Sequence, residues 1–196
     1  MYLTKKHDEK IFSTSLTRLV RALRQQQIIA YPTEAVFGLG CDPDSESAVR
    51  KLLTLKKRPW QKGFILVASN YTQLMPYIDD SALDNIARAR ILNHLLTPVT
   101  WVMPARPNIP FWLTGDCSSI AVRICTFKPV YHLCLAFKKP LISTSANLTG
   151  YPPARTAVEV HEQLGKTFLI MNEAIEGRRN PSEIRDIRSG ALIRQG

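Results

Sequence analysis

The stretch LKKRPWQKG, residues 55–63, gathers Lys56, Lys57, Arg58 and Lys62 around a proline. The chain contains neither a G-x-x-x-x-G-K-[ST] loop nor a G-x-G-x-x-G turn, so a bound nucleotide would be held mainly by side chains. If residues 56–58 run extended into Pro59, the period-two alternation sends Lys56 and Arg58 to one face and Lys57 to the other. Arginine offers a planar fork to phosphate oxygens and lysine a mobile point charge, a pairing suited to a triphosphate. A solvated basic run would read the same way.

Three further segments carry polar groups where an apolar core is expected. STSAN, residues 143–147, directs Ser143, Ser145 and Asn147 to one side if extended, and it follows the apolar PLI. Ligands of open α/β sheets gather there, beyond the carboxyl ends of strands, although a polar turn closing a strand has the same composition. Arg123 interrupts the apolar AVRIC, and a buried arginine requires a carboxylate, a carbonyl cluster or a bound anion. YPTEAVFGLG, residues 31–40, ends a strand at Pro-Thr and supplies glycines for a tight return or a close backbone approach to a ligand.

Alternating elements must position these groups. Leu16, Leu19, Val20 and Leu23 predict a first helix with a Ser or Thr cap before it, leading into the strand IIAYP. A second helix begins near Asp44 or Ser45, buries Val49, Leu52 and Leu53, and stops before Pro59. FILVAS is a strand, and residues 81–96 form the longest helical pattern, with Leu83, Ile86, Ala87, Ile91 and Leu95 as its stripe. PVTWVMPA, SSIAVRIC, PLISTSAN and TFLIMNE read as strands, PVYHLCLAFKK and TAVEVHEQLG as helices, and the last residues as a hairpin around Ser189-Gly190. The fold class is therefore α/β, one domain over residues 1–196, with a twisted mixed parallel and antiparallel sheet flanked by helices.

Composition narrows the partners. Lys and Arg outnumber Asp and Glu by 26 to 16, a formal charge of +10 that favours an anionic partner. The apolar runs fall far short of the roughly 18 residues of a membrane span, so a soluble, cytoplasmic protein is expected. Cys41, Cys117, Cys125 and Cys134 form no C-x-x-C pair and have no neighbouring histidine at zinc spacing; they read as reduced thiols, with no metal site.

These segments, in this order and over nearly the whole chain, resemble the YrdC/TsaC family of threonylcarbamoyl-AMP synthases. The most specific likeness pairs a K-x-R with an S-x-N, here Lys56-Lys57-Arg58 and Ser145-Ala146-Asn147, with YPTEAVFGLG before and AVRIC between. The resemblance implies a basic concave surface on the sheet. It also implies a reaction in which L-threonine, bicarbonate and ATP give threonylcarbamoyl-AMP and pyrophosphate. Other proteins then move the threonylcarbamoyl group to adenosine in tRNAs that read codons starting with A.

By position, the resemblance assigns the triphosphate to Lys56, Arg58 and Lys62, with contacts from Ser143, Ser145 and Asn147. Lys56 and Arg58 carry the catalytic role, and Thr33 and Arg123 hold threonine. Ser119 and Arg194 on the ATP side, and Ser182 on the threonine side, match weaker family positions. No carboxylate stands out as catalytic, so the expected chemistry is positioning plus cationic stabilisation of phosphate charge, with magnesium accompanying ATP.

Two departures are visible. SEIRD stands where longer members read S-T-V-V-D before a further domain, and KGFIL replaces K-P-L after the basic motif. The rival reading is a non-enzymatic protein that binds double-stranded RNA or tRNA through phosphates and shape. A carbamoylating enzyme of the maturation-factor type would need zinc-finger-like and acylphosphatase-like modules for which the chain has neither the cysteines nor the length.

Overall fold

The computed structural model describes residues 16–93 and 98–196. The first helix, α1, is described over 16–24 and buries Leu19, Val20 and Leu23; its expected cap lies outside the described residues. Strands β1 (Ile29–Pro32) and β2 (Phe37–Gly40) form a hairpin whose turn is closed by Thr33. Its backbone N–H and its Oγ1 both donate to the Val36 carbonyl, at 3.0 and 2.6 Å.

Helix α2 (Glu46–Lys56) starts where Ser45 Oγ accepts from the Ala48 N–H. It continues through Lys56, then turns left-handed at Lys57 with φ of 45°. The N–H groups of Lys57 and Arg58 return to the carbonyls of Thr54 and Leu53, a Schellman close. The extended run expected over residues 56–58 is thus replaced by a helix end, because carbonyls left open by the last turn are satisfied only if the chain reverses there. Pro59 imposes extended backbone one residue later, at ψ of 136°.

The remaining elements are β3 (Ile65–Ala68), α3 (Asn85–Leu92), β4 (Val99–Pro104), α4 (Phe111–Thr114), β5 (Ser119–Ile124), α5 (Lys128–Phe137), β6 (Leu141–Ser145), α6 (Ala157–Leu164), β7 (Glu183–Asp186) and β8 (Leu192–Arg194). Helix α3 starts later than the expected residue 81 because Asp84 caps it, accepting from the Ala87 N–H at 2.7 Å; Leu95, the last residue of the expected stripe, lies outside the described residues. Ile86 consequently faces solvent, and Ala87 and Ile91 carry the buried stripe.

Among the described residues, eight strands form one mixed sheet in the order β1-β2-β6-β3-β5-β4-β7-β8. The β3–β5 and β4–β7 pairs are parallel and the other neighbours antiparallel. Strand alternation splits the core. Ala30 and Leu66 pack into a cluster with α2 and α3, whereas Tyr31 and Val67 join α1 and α5.

TFLIMNE is not a strand. It lies beside β1 through one bridge, with the Ala30 N–H donating to Leu169 and the Met171 N–H to Ala30. The next rung would need an N–H from Pro32, which has none. No helix among the described residues is long and apolar enough to cross a membrane.

Gly115 locks α4 against the short 3₁₀ turn Trp60–Lys62 that follows Arg58. Its φ is +66°, and a Cβ there would sit 2.0 Å from the Gln61 carbonyl oxygen. Gly115→Ala is expected to cost about 3 kcal/mol, from strained backbone plus displacement of that turn. Gly165→Ala, at φ +97° and ψ 150° with open space around it, should cost about 2 kcal/mol, from backbone strain alone. Equal losses in denaturant titrations would show that the contact with Gln61 contributes nothing.

Candidate active site

A cavity of about 350 Å³ opens against one face of the sheet. Its floor is the face shared by Ile65 and Val67 on β3, Arg123 on β5 and Ser143 and Ser145 on β6; the strand register sets Ile65 opposite Ser143 and Val67 opposite Arg123. The 33–38 turn forms one wall and Arg58 with Phe64 another. Pro153, the Asn180–Ser182 segment, Arg194 and Gln195 complete the rim.

The sequence-derived candidates divide into three groups. Thr33, Arg58, Arg123, Ser143, Ser145, Ser182 and Arg194 all line the cavity. Lys56 and Asn147 stand behind it. Lys56 is 6% exposed, and its Nζ donates to Ser145 O at 2.8 Å and to Asn147 O and Oδ1, both at 2.7 Å. Ser145 Oγ donates to the same Asn147 Oδ1 at 2.6 Å, and Asn147 Nδ2 donates to Tyr151 O at 2.7 Å. The K-x-R and S-x-N motifs are therefore bonded to each other, and Lys56 pins the turn after β6 from beneath. Lys62 and Ser119 lie outside the lining: Lys62 is exposed at the end of its 3₁₀ turn, and Ser119 opens β5 four residues before Arg123.

The electrostatics are those of a cationic hollow. Burial first, and the Arg58 charge second, bring the Lys56 ammonium down to about 8. Burial also lowers Arg58. Its Nη2 donates to Gly63 O at 2.9 Å and its guanidinium lies 5.3 Å from the Phe64 ring centre. Arg58 Nε is buried with no hydrogen-bond partner, the one such side-chain atom among the described residues. An unmet buried donor costs about 1–3 kcal/mol, so the fork is held in a state that an anion would improve.

Arg123 answers the question its buried position raised. Its Nη1 bonds to Glu34 Oε1 at 2.7 Å, and both side chains are over nine-tenths buried. Burial alone would raise the Glu34 carboxyl; the charge and hydrogen bond of Arg123 carry it below the usual carboxylate range instead. Sequence reasoning passed over Glu34, Thr100, Asn180 and Gln195. Glu34 had a signal, since it stands inside YPTEAVFGLG and Arg123 required a partner. Thr100 hydrogen-bonds Ser182, Oγ to Oγ, at 2.8 Å, a contact across 82 residues that no local pattern announces.

A family model described as Sua5/YciO/YrdC, telomere recombination, matches residues 21–196. This chain belongs to the Sua5/YciO/YrdC family. Among relatives, the threonylcarbamoyl-AMP synthase of Sodalis glossinidius (strain morsitans) is 66% identical over 184 residues, covering 94% of this chain and 97% of its own length. The structure of P. abyssi Sua5 complexed with L-threonine aligns with a TM-score of 0.78 at 25% identity, over 87% of this chain and 50% of that one. A doubly substituted variant of P. abyssi Sua5 aligns at 0.82, also 25% identical, over 90% and 54%. The chain thus spans about half the length of P. abyssi Sua5.

Proposed function

We propose that this chain is an L-threonylcarbamoyladenylate synthase, a nucleotidyltransferase that converts L-threonine, bicarbonate and ATP to threonylcarbamoyl-AMP and pyrophosphate. The carrying observation is the convergence of Arg58, Arg123, Thr33, Ser143 and Ser145 on one cavity, in a chain that is 66% identical to a protein of that name. Threonine's carboxylate pairs with Arg123, beside Thr33. The triphosphate lies toward Arg58 and the β6 hydroxyls, with Ser182 and Arg194 at the rim. Lys62 and Ser119 would join the nucleotide contacts only if their segments moved toward the cavity.

In this reading the threonine amine captures bicarbonate carbon as a carbamate, whose oxygen attacks the α-phosphorus and expels pyrophosphate. Arg58 draws charge from the phosphates as it develops, and the pinned turn after β6 fixes the distance between the two reactants. Among the described residues no three His, Cys, Asp or Glu side chains are gathered to hold a metal. Magnesium belongs to the substrate in this reading, travelling with the ATP phosphates. The adenylate then passes to the threonylcarbamoyl-transfer proteins that act on tRNA, in the cytoplasm, with residues 1–196 working as one unit.

Arg58 and Lys57 separate this reading from a generally basic surface. Arg58→Ala should lower threonine-dependent pyrophosphate release about 100-fold, the scale of a lost electrostatic donor. Lys57→Ala, at the exposed left-handed position, should leave it within about twofold. Similar losses in both variants would contradict the placement of the phosphates at Arg58.

A further inference from the structure

The cavity contains a carboxylate to which the sequence reading gave no task. Glu34 is 7% exposed, yet it lines the cavity. Its Oε1 accepts from Arg123 Nη1 at 2.7 Å and from the Cys125 thiol at 3.4 Å. No hydrogen bond from another side chain among the described residues reaches Oε2. Oε2 is thus the oxygen that neither Arg123 nor Cys125 engages, on a side chain that lines the cavity and is also supported by its own backbone N–H. An α-amino acid whose carboxylate rests on Arg123 carries its nitrogen two bonds from the carboxylate carbon, in a cavity that Glu34 lines beside that guanidinium.

Resting on the synthase reading above, we propose that Glu34 is a catalytic residue, the proton acceptor for the threonine amine. Oε2 takes one proton from the ammonium, and the N–H electron pair remains on nitrogen as its lone pair. That pair forms the C–N bond to the bicarbonate carbon. The bicarbonate hydroxyl leaves with the proton returned by Glu34, as water, and nitrogen releases one further proton to solvent. The sum is ammonium plus bicarbonate giving carbamate, water and one proton, and the Glu34 carboxylate is regenerated.

The groups around Glu34 fit this cycle. It faces Arg123 on β5 and Cys125 just after that strand, and Tyr31 of β1 packs in the same buried cluster as Cys125. Burial pushes the Cys125 thiol up to about 12 and the Tyr31 phenol higher still, so both stay protonated and neither competes for the proton. In the free protein Arg123 keeps Glu34 ionised. A substrate carboxylate on Arg123 brings a like charge close and shares the guanidinium, and both effects raise the Glu34 carboxyl. The acceptor is stored ionised and gains basicity when the amine arrives.

The test is Glu34→Gln, which keeps an oxygen for Arg123 but cannot accept the proton, with Glu34→Asp as the conservative partner. Threonine binding is followed by calorimetry, and pyrophosphate release is followed with threonine, bicarbonate and ATP saturating. Glu34→Gln should bind threonine within about fivefold of the wild type, lose at least 100-fold in kcat and lack the acid limb of the wild-type pH profile, while Glu34→Asp recovers part of both. Retention of kcat within threefold overturns the proposal. So does a loss of threonine binding that Glu34→Asp restores without an acid limb, which would make Glu34 an orienter of Arg123. A wild-type protein that releases no pyrophosphate with all three reactants present overturns the synthase reading itself.

Discussion

Arg123→Met is expected to destabilise the protein by about 3–5 kcal/mol, the cost of leaving one member of a buried ion pair alone. Glu34 is the group left behind, 2.7 Å from the missing guanidinium. For a chain of this size the loss corresponds to a fall of about 10 °C in Tm. The pH dependence should also change sign. In the wild type the folded Glu34 carboxyl lies below its unfolded value, so its contribution is present above the unfolded pKa of about 4.3 and lost as pH falls through the folded one. Without Arg123, burial dominates and raises the carboxyl. The folded state then binds more protons than the unfolded chain, and stability declines as pH rises through that window. Threonine affinity should fall about 100-fold with the loss of a charge-assisted fork, roughly 2.7 kcal/mol. Denaturant titrations at pH 4 and pH 7 read the first effect, because the variant's deficit must be smaller at pH 4. An equal deficit at both values would show that Glu34 is not held by Arg123.

The second large effect belongs to Lys56. Lys56→Met keeps the buried stem but removes the ammonium that bridges Ser145 O, Asn147 O and Asn147 Oδ1. Ser145 O retains the Asn147 N–H and Asn147 Oδ1 retains Ser145 Oγ, so Asn147 O is the oxygen left without a donor. The expected cost is about 3 kcal/mol, one orphaned acceptor plus the loss of charged bonds to the other two. The turn that carries Ser145 also loses its anchor, and pyrophosphate release should fall about 100-fold. A pH signature accompanies it. The folded Lys56 value of about 8 lies below the unfolded 10.5, so the unfolded chain binds more protons between them. The wild type therefore gains stability as pH rises over that interval, and Lys56→Met does not. Unchanged activity with lowered stability would reduce Lys56 to a purely structural pin.

These two residues also show what the sequence could disclose. Arg123 was legible because a cation inside an apolar strand must find a counter-group. Glu34 was legible only as a carboxylate inside YPTEAVFGLG, because its match to the fifth strand is a long-range pairing that no spacing encodes. Lys56 was singled out for a geometry it does not have. The alternation inferred from Pro59 fails because the helix ahead of it ends with a left-handed turn at Lys57, a position where lysine gives no warning of the kind a glycine would. Ser143 and Ser145 do line the cavity from the extended β6, but Thr144 between them lines it too and Asn147 does not, so the alternation alone does not select the lining. The fold was readable where cap and period agreed, as at Ser45 and the buried stripe of α2. It was misread where backbone chemistry intervened, as at Pro32, whose missing N–H leaves TFLIMNE as a single bridge.

The central claim is that one cavity joins three reactants, and pyrophosphate release tests it most directly. Purified protein is given ATP with threonine and bicarbonate omitted in turn, and with serine in place of threonine. Release that requires both partners, prefers threonine and yields threonylcarbamoyl-AMP by mass is the expected result. No release under any combination, together with tight and salt-sensitive binding of RNA, would contradict the account and make the basic charge of the chain its function.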